Sequence, residues 1–261
     1  MNRAALLEAR AELSQAIRAS EDWTPSYKRH QDTFKALLKH EAELERQTAE
    51  YLAGLAERAS EYLDWSLVPE PVVVQAASSP VANKDDAVWH GEEIDMTKAV
   101  IDALTELIAT GAHFGEIEYG INLGVTSLTD WIMTAAREHT ADLVTQVTDT
   151  NRKLIQEAIK KGIALGENQS AMEARIGKVI NNPVRAELIA RTESVNAYQS
   201  GLLNFGIESG AKEKVWEALA GACPVCAPLD GETVEITEQF SNGTDRPPAH
   251  PRCRCGSYLN Y

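Results

Sequence analysis

No cysteine occurs in the first 222 residues of this chain, and all four that it has fall between Cys223 and Cys255. A disulfide framework spread through the fold is thereby excluded, because such frameworks distribute their cysteines along the chain. No apolar run reaches the roughly 20 residues that a membrane-spanning helix needs. The start, MNRAALLEARAEL, carries a charge every few residues, so neither a secretory signal nor a membrane anchor is expected. Positive charge is also scarce, at 25 Lys and Arg against 39 Asp and Glu, a net charge of -14. So acidic a surface repels phosphate backbones and makes nucleic acid an unfavoured partner. Internal repeats, low-complexity tracts and phosphate-cradling glycine loops are missing as well. What remains is a composition 44% hydrophobic and 25% charged, that of an ordinary folded protein. At 261 residues there is room for one large domain or two smaller ones.

The pattern is mainly helical. Residues 1–20 read as a short helix through Leu6, Leu7, Leu13 and Ile17. Pro25 is a helix-start signal, and a long helix is predicted from there to about Trp65. Its stripe of Phe34, Leu37, Leu44, Tyr51 and Leu55 is flanked by charged residues, the mark of a helix that buries one face. Prolines 69, 71 and 80 then break the pattern, and an irregular linker is expected to about Asp95. Helices are predicted over Met96–Thr110, ended by Gly111, then from Thr126 to about Thr150, and over Asn151–Lys161. His113–Gly124 reads as a glycine-punctuated loop. Ser170 and Glu173 have capping-box spacing for a helix through Ile180. Asn182 and Pro183 open the next helix, which ends near Gly210.

After Gly210 three short stretches, Lys214–Leu219, Thr233–Ile236 and Ser257–Tyr261, read as strands of a small sheet. The fold class expected is α+β, mainly α-helical with a small metal-stapled sheet at the C-terminal end. Four parts are expected: a helical hairpin or arm over 1–66, a linker over 67–95, a helical domain over 96–210 and a β-rich zinc-binding end over 211–261.

The cysteines lie in the loops beside those strands. Cys223-Pro-Val-Cys226 is followed, 23 residues on, by His250-Pro-Arg-Cys253-Arg-Cys255. Two cysteines three apart can wrap one ion, and zinc prefers thiolate and imidazole donors in a tetrahedron. Five donors are present where four suffice. Cys223, Cys226 and His250 are expected to bind; Cys253 and Cys255 are expected to diverge from an extended segment, so that only one joins them. Cys255, nearest the last strand, is favoured. Disulfides and free thiols are the competing readings. A filled tetrahedron leaves no position for water, so the Zn2+ is read as structural, its binding energy being folding energy.

Ala190-Arg191-Thr192-Glu193, the Trp216 strand, Cys223-Pro-Val-Cys226, Leu229-Asp230-Gly231 and Pro248-Ala249-His250-Pro251-Arg252-Cys253-Arg254-Cys255 together resemble the phage Mu F-like minor head proteins. The resemblance is ordered and colinear over about residues 185–261, extends by helix pattern from about residue 95, and is not seen in residues 1–90. It implies a structural minor capsid protein of a tailed bacteriophage, acting in head morphogenesis at or near the portal. The portal protein and/or the major capsid protein are the implied partners, the virion its location, and the host cytoplasm its place during assembly. The family's helix motif maps onto Ala190, Arg191, Thr192 and Glu193. Arg191 and Glu193 cannot share a helix face at a spacing of two, so each is expected to hold something else, anchoring the helix to the β-rich end. No appended cargo domain is expected after Cys255.

Two rival readings are weighed. A DNA-contacting zinc module would use Arg246, Arg252 and Arg254 against phosphate, whereas local ion pairs are the plainer role for them. Packaged DNA is at most an incidental contact. A zinc deaminase would need His90-Gly91-Glu92 joined to Cys223 and Cys226, but Ala222 stands where its proline should be. No catalytic residue is expected; His30, His40, His113 and His139 have no nucleophile pattern around them.

Overall fold

The computed structural model describes residues 23–67, 87–124 and 129–261. The helix expected over 1–20, most of the expected linker and the predicted helix start at Thr126 lie outside these residues.

Pro25 starts helix α1 (Pro25–Lys28), and after two residues the chain re-enters helix as α2 (Gln31–Arg58). Leu37, Leu44, Tyr51 and Leu55 of the expected stripe are buried, and Phe34 is half-buried. Short 3-10 turns follow at Ala59–Tyr62 and Trp65–Leu67. Helix α3 spans Ala87–Tyr119, so residues 87–95 are helical where a linker was expected. It also passes straight through Gly111 and Gly115 and ends beside Gly120, whose φ of +65° is the left-handed conformation of a helix terminus. Gly111 is therefore a packing residue and no helix stop: a Cβ there would lie 1.9 Å from the Tyr198 carbonyl oxygen. A stretch rich in glycine reads as a loop only while the neighbouring backbone that needs the space is unknown.

Helix α4 runs unbroken over Asp130–Ala164, where the sequence pattern predicts two helices meeting near Thr150. Helix α5 (Gln169–Ile180) is capped by Asn168, whose Oδ1 accepts from the Ala171 N–H at 2.9 Å; Ser170 lies inside it. Helix α6 (Pro183–Ser209) starts and stops as predicted. Gly210, at φ +83°, ends it, with the Ala211 N–H bonded to the Gly206 carbonyl at 2.9 Å.

The chain divides into two compact units. One comprises the residues up to Glu41 with Leu104–Ala135 and Arg191–Tyr261; the other comprises Ala42–Ala103 and Ala136–Ala190. In the second unit buried Glu92 takes both Arg58 donors at 3.0 Å and the Tyr62 hydroxyl at 2.5 Å, and the Arg152 guanidinium lies 5.3 Å from the Trp89 ring. The first unit carries the sheet, antiparallel in the order β2–β1–β3, with β1 at Glu213–Glu217, β2 at Thr233–Glu235 and β3 at Gly256–Asn260. Val215 pairs with Thr233 on one side and Tyr258 on the other. Mainly helical with one small C-terminal sheet is the expected fold class. Among the described residues no helix is long and apolar enough to cross a membrane.

Candidate metal centre

The sheet is too small to bury much, and its core is made partly of sulfur. Trp216, Leu219, Leu229 and Phe240 pack with Cys226, Cys253 and Cys255 in one buried cluster, the Trp216 and Phe240 rings meeting edge to face at 5.1 Å. Two tight turns aim the donors into it. In the first, after β1, the Cys226 N–H bonds to the Cys223 carbonyl at 3.0 Å. Gly231, at φ +77°, then returns the chain to β1 through a 2.9 Å bond from its N–H to the Trp216 carbonyl. In the second turn the Cys253 N–H bonds to the His250 carbonyl at 3.1 Å, and Arg252 takes φ +62° to make the bend. Each turn thus presents a donor at its first and fourth residue.

The turns face one another. The Cys223 sulfur lies 3.1 Å from His250 Nε2, and the Cys226 sulfur lies 3.7 Å from that of Cys253. A tetrahedral ion with Zn–S bonds of about 2.3 Å holds its sulfurs about 3.8 Å apart, close to the second spacing. All five sequence candidates gather here, as two triads sharing Cys226. Cys223, Cys226 and His250 form one, Cys226, Cys253 and Cys255 the other, and within each the donor atoms lie within 4.8 Å of one another. The divergence expected of Cys253 and Cys255 is not found. Side chains two apart on an extended chain share a face, and both sulfurs point into the cluster.

The donor chemistry suits a soft divalent cation. The four cysteines are free thiols. Hydrogen bonds from Cys226 and Cys255 hold the Cys253 thiol well below its ordinary range. Cys226 is pushed far up, first by its bond to Cys253, and Cys255 up to about 12. Burial raises Cys223, but the backbone N–H groups of Cys226 and Val225 outweigh it and its net shift is downward. His250 rises to about 9, chiefly through the Cys253 sulfur. Close-set thiols cannot all ionise beside one another unless a cation joins them, and such a cation makes the thiolate form stable. His250 is already oriented, because its Nδ1–H donates to the Pro251 carbonyl at 2.8 Å and leaves Nε2 facing the sulfurs.

The surroundings contain residues that the sequence did not single out for this role. Arg254, between two candidate ligands, is only 3% exposed. Its guanidinium bonds to the Glu41 carboxylate at 2.7 and 2.8 Å and to the Arg191 carbonyl at 3.1 Å, and lies 3.8 Å from the centre of the Trp23 ring. Ser194 donates to the same Glu41 carboxylate at 2.7 Å. Thr192 Oγ1 accepts the Arg252 N–H at 3.1 Å, and Glu193 accepts from Asn196, whose Oδ1 takes an Arg246 donor at 3.0 Å. The Arg191–Glu193 stretch does hold the helix to the β-rich end, with the Arg191 carbonyl and the Thr192 hydroxyl among its contacts. Arg246 also pairs with Asp245 at 2.5 Å, so Arg246 and Arg254 both have local carboxylate partners. In His90-Gly91-Glu92, which lies on α3, the Glu92 carboxylate is committed to Arg58 and Tyr62.

No curated protein and no solved structure matches the chain. A family profile does, over residues 153–257, a stretch that takes in all five donors. That family is described as Phage Mu protein F like protein, and over those residues the chain is similar to it.

Proposed function

We propose that this is a structural, non-catalytic protein of a tailed-phage head, serving head morphogenesis at or near the portal and contacting the portal protein and/or the major capsid protein. The observation that carries the reading is the family match over residues 153–257, with the two donor turns inside it. Within that protein one structural zinc is held by Cys223, Cys226, His250 and Cys253. The two opposed turns favour Cys253 as the fourth ligand over Cys255, against the expectation from proximity to the last strand. Cys255 then stays a buried thiol, its own carbonyl accepting the Tyr27 hydroxyl at 3.0 Å.

A closed four-ligand site does not activate water; it supplies rigidity. For a three-stranded sheet with a core of a few side chains, about 10 kcal/mol of metal-binding energy decides whether it folds. The test is to purify heads from infected cells, assay them for this chain, and measure zinc in the isolated protein. Heads that carry the chain, and fail to mature when its gene is deleted, are the expected result, with one zinc per chain. Mature heads lacking the chain would overturn the assembly role. Metal-free protein with disulfides would overturn the zinc.

A further inference from the structure

Residues 23–41 lie outside the family match, yet they form one wall of the metal-bearing end. Trp23 stacks on Arg254, Glu41 takes its charge, and Tyr27 bonds to the carbonyl of Cys255. Gly256 admits the segment: a Cβ there would lie 2.9 Å from both Thr24 Oγ1 and Ser26 Oγ. A second route runs from Tyr27, whose hydroxyl accepts from Gln199 at 2.8 Å, to Ser257, which donates to the same Gln199 at 2.6 Å. Arg254 is therefore fixed on one side by the N-terminal segment, while its backbone is continuous with Cys253 and Cys255 on the other.

We propose that Arg254 and Glu41 are positioning residues of the metal centre, so that zinc binding and the seating of residues 23–41 are a single coupled equilibrium. The inference rests on the zinc reading above. Arg254 shares its backbone with the cysteine on either side, so gripping its guanidinium restrains the short stretch that has to close round an ion. Partners behind the ligands commonly change metal affinity 10- to 100-fold. Linkage makes the effect reciprocal: if the seated segment tightens the metal, the metal seats the segment by the same factor.

Two measurements on the full-length protein test this. In the first, peptide-resolved hydrogen exchange is compared with zinc bound and after chelation. Exchange in peptides from 24–41 is expected to rise about 10-fold, while helix α5, in the other unit, is unchanged. In the second, Glu41→Gln and Arg254→Lys are loaded with zinc and challenged with a colorimetric chelator. Both variants keep their helical circular dichroism and one metal per chain, and their cobalt forms keep a tetrahedral spectrum, but zinc leaves about 10-fold faster. Arg254→Lys is informative because lysine keeps the charge and loses the fork that grips Glu41. Wild-type release rates in both variants, or unchanged exchange over 24–41 on stripping, would overturn the coupling while leaving the zinc intact. A wild-type protein that binds no zinc fails the earlier reading, and the coupling falls with it.

Discussion

At the scale of single residues, Cys226 differs from the other donors because it belongs to both triads. Cys226→Ser removes a ligand from either possible arrangement, whereas Cys255→Ser removes one only if Cys255 binds. Elemental analysis is expected to show about one zinc per chain in Cys255→Ser and almost none in Cys226→Ser. Zinc lost from Cys255→Ser and kept in Cys253→Ser would reverse the assignment of the fourth ligand. The Cys226→Ser protein is further expected to lose near-ultraviolet signal from the Trp216–Phe240 cluster while keeping most helical circular dichroism, because the sheet contributes few of the residues. Uniform loss of both signals would instead mean that the sheet and the helices melt as one. The donors were legible in the sequence because the turns that bring each pair together span only four residues. Arg254 and Glu41 were not: they are 213 residues apart, and nothing local in either marks it as the partner of the other.

At the scale of elements, the misread part of α3 shows what a local rule misses. Glycine inside a helix costs about 1 kcal/mol relative to alanine, so three glycines in Gly111–Gly120 argue for a loop. The cost is outweighed here by close contact between helices, since Cβ atoms at Gly111 and at Gly201 of α6 would each lie 1.9 Å from a backbone carbonyl oxygen of the facing helix. Two substitutions of identical chemistry should therefore have opposite signs. Gly91→Ala, on the same helix with nothing within 4 Å of the new methyl, is expected to raise stability by about 0.5 to 1 kcal/mol. Gly111→Ala would gain the same propensity, but the backbone must move to accept it, and a net loss of about 2 kcal/mol or more is expected. Urea unfolding of both variants checks the pair, and a stabilised Gly111→Ala would contradict the close approach. Helix α6 was legible because Pro183 and Gly210 act at its own termini, where sequence neighbours suffice. For α5 the cap falls on Asn168 and not Ser170, because Asn168 Oδ1 turns back to the Ala171 N–H and Ser170 is already inside the helix.

At the scale of the whole molecule, the question is whether the metal end meets DNA. A net charge of -14 works against it, although a local basic spot can still attract phosphate at short range, within a Debye length of about 8 Å at physiological salt. Of the three arginines that flank the donors, Arg254 is buried against Glu41 and Trp23, and Arg246 is bonded to Asp245 and Asn196. Breaking the Arg254 pair to reach a phosphate would leave the partly buried Glu41 carboxylate without its cation, so the exchange gains little. At most two of these arginines are then available, and each neutralised phosphate adds about 0.9 to the slope of log affinity against log salt. Duplex retention measured between 50 and 200 mM salt should be weak for zinc-loaded protein, with a slope no steeper than about -2. A slope of about -5 or steeper, lost on stripping the metal, would show a phosphate-binding surface that the metal assembles, and the structural reading would give way to the DNA-contacting one.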